Sequence, residues 1–370
     1  MAQELFDRAS SCLQGQLPFV VYRKPDKNDL IGIFQNNDEV HIAQDFTESG
    51  FVFAPFDLKS DAILLQRDSV QKATFPITGK TFKGNEIQLE ENAGEKARYL
   101  KLVTNALGSI NDGDFDKVVL SRKIEIAGRE DSLEVFQKIL NEYTKAFCYL
   151  WHHPKVGTWV GATPEILVKS NGAEFTTMSL AGTQNSKDFK EPQWSKKELK
   201  EQQMVTDYIN NALKDKVESL KTSELETIRA GQLWHLRTKM EGKFTSNRFG
   251  EVLRALHPTP AVCGSPLDLA KKFILENEQY DRTYYTGFLG ELNFTSERLR
   301  NKNRRNQENS AYRSVRKQSE LFVNLRCMQL LKEAVVIYVG GGITNDSIPE
   351  NEWEETALKS KTMLRVLTHK

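Results

Sequence analysis

Six residues near the end of the chain have the types and the spacing to handle a metal-bound anion. Gly340, Gly341 and Gly342 close an apolar run, and Glu352, Glu355 and Lys359 follow in the next amphipathic segment. Residues three, four and seven apart share one face of a helix, so both carboxylates and the ammonium would project together. Glycine lets backbone N–H groups approach a ligand oxygen. A hard cation held by the carboxylates, beside amides offered to an anion, suits a carboxylate-bearing substrate bound through magnesium. Spacing alone also allows a plainer reading. Acids at a helix start complement its dipole, and Glu355 with Lys359 is an ordinary ion pair one turn apart. A second acidic pair, Glu198 and Glu201 in KKELKEQQMVTDYI, shares a face of another charged helix, where a solvated surface is the ordinary reading.

The elements that must position these groups can be read from periodicity. The first ninety residues give short strands, PFVVYR, LIGIF, EVHIA and GFVFAPF, between turn clusters, and predict an antiparallel meander. From Gly94 the pattern changes to helices between strands: EKARYLKLVTNALGSI, the strand KVVLSRKIEI, the helix SLEVFQKILNEYTKAF, then strands around CYLWHH, TWVGA and EILVKS. A charged helix is predicted from about Ser195 to Asp215, with Met204, Val205, Tyr208 and Ile209 as its apolar stripe. Strand-like IRAGQLWHLRTKMEGKF, the helix FGEVLRALH, the strands TYYTGFLGEL, FVNLRCMQL and AVVIYVG, and a final helix from about Asn351 complete the chain. Strands and helices mixed in runs predict an α+β fold with large antiparallel sheets.

Composition removes several classes of function. With 51 basic against 50 acidic side chains, no global field favours nucleic acid or an anionic membrane, and any anion must be met locally. Cys12, Cys148, Cys263 and Cys327 are scattered and form no C-x-x-C pair, which argues against zinc or a disulfide scaffold and suits a reducing cytoplasm. The N-terminal stretch lacks a basic region followed by an apolar one, and no apolar run reaches bilayer length. Neither export by a standard signal nor membrane insertion is expected.

Further motifs place the acidic pairs in company. DKVVLSRKIEI begins a strand at Lys117, GATPEILVKS carries Glu165, MSLAGTQ contains Ala181, Gly182 and Thr183, and LHPTPAVCGSP covers residues 256–266. With LWHL around His235, VNLRC around Arg326 and the closing YVGGGI and EWEETALKSK, the ordered set resembles the chorismate-utilising enzyme family over the C-terminal three quarters of the chain. The N-terminal part resembles it only in general character.

The resemblance implies a single domain over 1–370, with 1–92 a less typical β-rich part and 93–370 the motif-bearing catalytic part. Its fold is the α+β chorismate-binding type, two antiparallel sheets packed face to face with helices outside. It implies Mg2+ on the ring carboxylate of chorismate, with Glu201 and Glu355 as direct ligands and Glu198 and Glu352 acting through water. Family members with a lysine nucleophile carry it at the place of Ala181, and members that add ammonia lack a lysine at the place of Lys117. The resemblance therefore implies water as nucleophile, with Lys117 as general base at C2 and Glu165 as general acid at the C4 hydroxyl. Such a lysine must have its proton affinity lowered by burial or a nearby cation, and such a glutamate must have its own raised. Arg326, Tyr338 and the backbone of Gly340 to Gly342 match positions that grip the side-chain carboxylate. Gly182 and Thr183 match positions at the ring carboxylate, His235 a site-facing histidine, and Lys359 a balance to the acidic wall. Judged singly, Lys117, Glu165 and His235 also read as a solvated lysine, a surface acid and a satisfied core group.

The chain departs from many relatives in having Gln202 after Glu201, Gly341 in place of alanine, and a longer basic segment, residues 297–317, with eight lysines or arginines against two acids. That segment reads as a solvated loop, and with only Tyr312 among its cations it does not predict nucleic-acid binding. The implied reaction is reversible exchange of hydroxyls between chorismate and isochorismate, by a monomer, for menaquinone or siderophore synthesis. The same steps followed by pyruvate elimination would give salicylate. From another class, an inactive dicarboxylate-binding or assembly protein stands as the alternative.

Overall fold

The computed structural model describes residues 2–77, 92–185, 191–230, 233–245, 248–299 and 313–367. Most of the basic segment, residues 300–312, lies outside the described residues. The rest forms two large antiparallel sheets and seven helices. The first sheet runs, edge to edge, Gly264–Ser265, Lys117–Ala127, Ala334–Thr344, Cys327–Leu330, Gly157–Thr163, Phe147–His153, Phe19–Arg23, Asp29–Phe34 and Ser69–Thr74. The second runs Ser219–Thr222, Leu233–Lys243, Glu174–Asn185, Ile166–Asn171, Arg313–Val323, Phe288–Leu299, Gly50–Ala54 and Ile63–Leu65, with Glu226–Ala230 also paired to Leu233–Lys243.

The burial of each strand follows from what covers it. Phe147–His153 is buried at every position, as a strand covered on both faces must be. Between the sheets lies an aromatic core of Tyr22, Phe51, Phe53, Phe147, Tyr149, Trp151, Trp159, Tyr285, Phe322 and Tyr338. Outside the first sheet the helices Ala2–Gln14 and Ser132–Glu142 and the end of Pro349–Leu364 pack Leu5, Phe6, Val135, Phe136, Ile139 and Leu364 onto Val21, Leu150 and Ile337. Outside the second, Lys196–Leu213 and Phe249–Leu256 bury Val205, Ile209, Val252 and Leu253 against Leu167, Met240 and Leu321. The α+β architecture with two facing sheets and outer helices is thus the one expected. No helix among the described residues is long and apolar enough to cross a membrane.

Two local expectations are corrected. The N-terminal strands do not form one meander. Phe19–Arg23 and Asp29–Phe34 enter the first sheet, Gly50–Ala54 enters the second against Phe288–Leu292, and within EVHIA only Ile42 makes an isolated bridge, to Ile63. Each strand has one apolar face too many for a free-standing hairpin, so the sequence divides between the two walls of the same core. The segment FVNLRCMQL is not one strand either. It ends at Val323 in the second sheet and resumes at Cys327 in the first, and Arg326 between them has φ +49°.

One buried ion pair fixes the strand that begins at Lys117. Arg282 and Glu278 meet at 2.6 Å with side chains 2% and 1% exposed. Arg282 also donates to the carbonyls of Val119 and Val262, and Glu278 accepts from the backbone N–H and the hydroxyl of Ser121. Removing one partner strands the other charge in a dry site. Arg282→Ala should therefore lower the unfolding free energy by about 3–5 kcal/mol in a denaturant titration. A loss below about 1 kcal/mol would mean that water reaches the pair.

Candidate active site

Two of the places where the chain crosses between the sheets lie side by side. One runs from Thr163 to Ile166 through Glu165, the other from Val323 to Cys327 through Arg326. They are stapled together: the Thr163 hydroxyl donates to the Val323 carbonyl at 2.6 Å, the Val323 N–H to the Glu165 carbonyl at 3.0 Å, and the Ala162 N–H to the Arg326 carbonyl at 3.0 Å. Buried Asn324 locks the second crossing, accepting from the Tyr149 hydroxyl and donating to the Tyr284 carbonyl. The left-handed backbone at Arg326 is uncommon for a residue with a side chain and is held by these bonds.

Glu165 and Arg326 occupy a setting of low polarity. Burial raises the Glu165 carboxyl to about 7, against the opposing pull of the Lys117 and Arg326 cations. Burial depresses the Arg326 guanidinium, while Tyr285, Tyr143, Glu355 and Glu165 favour its charged form. These mutual influences place Lys117, Glu165, Arg326 and Glu355 within one electrostatic neighbourhood. Lys117 itself is buried, 5% exposed, at the first residue of its strand, opposite Thr344.

The glycines serve as bare walls. A methyl group added at Gly342 would sit 3.0 Å from Lys117 Cε and 3.4 Å from its Nζ. At Gly341 it would meet Glu352 Oε2 at 3.3 Å and Glu355 Oε1 at 3.8 Å. Successive residues of a strand face opposite ways, so the lysine and the acidic pair approach the glycine backbone from its two sides. Glu355 pairs with Lys359 at 2.5 Å, and Lys359 Nζ also donates to the Gly340 carbonyl at 2.9 Å. Arg326 Nη1 donates to the Lys359 carbonyl at 3.2 Å, which ties the sheet crossing to the closing helix.

The second wall comes from the strand Glu174–Asn185. Its register against Leu233–Lys243 shifts between Ala181 and Thr183, and Gly182 at the irregularity has φ +69°. His235 Nδ1 lies 3.2 Å from the Gly182 carbonyl, half-buried, its proton affinity lowered by burial. Glu198 lies against Gly182, but its carboxylate already serves the helix start: it accepts from the Ser195 N–H at 2.8 Å in a capping box and from Gln184. Glu201 is half-buried one turn further along. The structure thus brings Glu352 and Glu355 together, and among the described residues no three acidic, histidine or cysteine side chains converge as a metal cage.

Tyr338 lies in the aromatic stack between the sheets. It is 6% exposed, stacked between Trp159 and Tyr285, with its hydroxyl 3.4 Å from Gln329 Oε1. Several other residues support the site: Asn324 and Tyr285, which carry no local sequence signal, and the Glu278–Arg282 pair, whose only signal is its four-residue spacing. Gln202 is another, buried and donating to Ser179 and Thr238. Two oxygens of Glu352 and Glu355 converging on a glycine do suit a hard cation such as magnesium, which takes a couple of protein carboxylates and keeps several waters.

Known proteins resemble this chain in sequence and in fold. The family model described as chorismate binding enzyme matches residues 58–297 and 312–368. The chain is 29% identical to isochorismate synthase DhbC of Bacillus subtilis over 74% of its own length and 68% of that protein. It superposes on the structure of MenF, the menaquinone-specific isochorismate synthase from Escherichia coli, with a TM-score of 0.76 at 19% identity, covering 95% of this chain and 89% of that one. Anthranilate synthase component I from Streptococcus pneumoniae gives 0.67 at 17% identity, covering 94% and 92%. Since both kinds of enzyme share the architecture, the superpositions establish the fold, and the family match over most of the chain establishes the lineage: this protein is a member of the chorismate binding enzyme family.

Proposed function

We propose that this enzyme is an isochorismate synthase, converting chorismate reversibly to isochorismate for a menaquinone or siderophore route. The relatives named isochorismate synthase support this reading. The observation that carries it is Glu165, a carboxyl held to about 7 within the field of Lys117 and Arg326. A general acid works best when its proton affinity lies near the working pH. Glu165 can then hold a proton at neutrality and release it to the departing C4 hydroxyl, which leaves as water. Lys117 takes a proton from the water that attacks C2. One hydroxyl is gained and one lost, so the reaction needs no redox partner. Ala181 offers no covalent nucleophile.

Chorismate carries two carboxylates, and the site has cations and bare amides to meet them. Arg326, Lys359 and the backbone of Gly340 to Gly342 form one anion-accepting wall in this reading, and Gly182, Thr183 and His235 another. Magnesium is proposed as the cofactor, with Glu355 and Glu201 as direct ligands and Glu352 and Glu198 in outer positions. The convergence of Glu352 and Glu355 supports the half of that set contributed by the closing helix. When bound, the ion neutralises the ring carboxylate of the substrate.

Incubation with chorismate and magnesium, resolved by chromatography, should yield isochorismate. Salicylate with pyruvate would instead identify the eliminating branch, anthranilate in the presence of ammonia would overturn the water-adding assignment, and unchanged chorismate would mark a silent member. Lys117→Ala should abolish turnover while leaving magnesium-dependent chorismate binding measurable by calorimetry; a near-normal rate would remove Lys117 from the base role.

Glu165 predicts two pH effects. In the free enzyme kcat/KM should fall as pH rises through about 7, because the acid loses its proton there. Its raised affinity also means that the native state binds this proton more tightly than the unfolded chain. Stability from that proton is fully present below the ordinary glutamate range and is lost as pH climbs to about 7. The loss is on the order of 3 kcal/mol. Glu165→Gln, which cannot ionise, should therefore gain stability relative to the native protein between acidic and mildly alkaline pH, and parallel denaturation curves for the two would contradict the shift.

A further inference from the structure

A second cavity lies outside the cleft described above. Its volume is about 530 Å³, within the range that holds a small ligand. The helix Ala93–Asn111, residues Ser121–Lys123 of the strand that begins at Lys117, and residues Glu276–Tyr280 at and beyond the end of the helix Leu267–Asn277 bound it, and none of the residues assigned to chorismate lines it.

Three features of the cavity point to a ligand. Tyr99, one of its lining residues, is 3% exposed, and its hydroxyl has no hydrogen-bond partner among the described residues. A buried phenol usually finds a partner, so an acceptor atom is called for. The cavity is also cationic. Arg98, Lys101, Arg122 and Lys123 face Glu95 and Glu276, while the third acid, Glu278, is already neutralised by Arg282. Finally, Tyr99 and Tyr280 supply aromatic surface at the same place, which suits a flat ring carrying the negative charge.

The walls connect this cavity to the acidic pair. Tyr99 packs against the ring of Trp353, centroids 5.9 Å apart, and the Arg122 guanidinium lies 3.8 Å over the same ring. Arg122 Nε donates to the Thr356 hydroxyl at 2.8 Å. Trp353 and Thr356 directly follow Glu352 and Glu355 on the closing helix, so these contacts reach the stretch of helix that carries the carboxylates.

We propose that this cavity is a second, regulatory site for a small ring-bearing carboxylate, and that its occupation reaches the acidic end of the closing helix through Tyr99, Arg122 and Trp353. Benzoate is the probe. Arg98 and Lys101 are exposed on the rim, so the double variant Arg98→Ala/Lys101→Ala should fold and turn over chorismate within about twofold of the native rate. Calorimetric titration of the native protein should show benzoate binding that persists under saturating chorismate, weakened about tenfold in the double variant. Benzoate should change kcat or KM of the native enzyme in a manner that added chorismate does not relieve, and should do so far less in the variant. No binding, binding of equal strength in both proteins, or binding that chorismate displaces overturns the site. Binding weakened in the variant but without kinetic effect overturns its regulatory role. The binding measurement needs no turnover, so it stands or falls separately from the proposed reaction.

Discussion

The site depends on one constraint: two of the chain's crossings between the facing sheets lie side by side and must share hydrogen bonds. A backbone leaving one sheet for another loses its ladder partners, and buried N–H and C=O groups left unpaired would be costly. Here each crossing supplies partners to the other, through Thr163 to Val323, Val323 to Glu165 and Ala162 to Arg326. The side chains at the two bends, Glu165 and Arg326, are consequently held where the chain passes between the sheets. Their proximity to each other and to Lys117 follows from backbone accounting as much as from attraction between charges.

A second layer of support fixes the strand that bears Lys117. The Glu278–Arg282 pair reaches the carbonyls of Val119 and Val262 and the backbone of Ser121. On the neighbouring strand, Gly342 leaves room for the lysine stem and Gly341 for the two carboxylates. A buried ion pair is weak evidence for stability in itself. Its value here is geometric, since it holds the backbone of the strand that begins at Lys117. The closing helix adds the acidic pair from the far side of the glycine strand, and the bond from Arg326 to the Lys359 carbonyl joins it to the crossing.

The same strand and helix also border the second cavity. Arg122 lies five residues beyond Lys117, and Trp353 sits between Glu352 and Glu355. Elements that carry the proposed catalytic groups on one side thus present a cationic, aromatic surface on the other. Packed cores respond to a local change by moving as units, which makes such shared elements a natural route between two sites.

How far this was legible differs from residue to residue. The paired spacing of Glu352, Glu355 and Lys359, the glycines before them, and the alternation of helices and strands are local properties, and period and composition determined them directly: the helix Pro349–Leu364 and its shared acidic face stand in the structure as spacing required. Motif order marked the family. Tertiary structure alone decided that FVNLRCMQL breaks at Arg326, because an apolar run with strand propensity does not say which of two sheets each half will join. It alone decided that EVHIA forms no strand and that Tyr338 lies within the inter-sheet stack. It decided too that burial carries Glu165 to about 7, and that Glu198 is taken up by a capping box. Periodicity reports which face of an element is apolar; it is silent on which wall that face will meet, and proton affinities and close approaches are set by the wall.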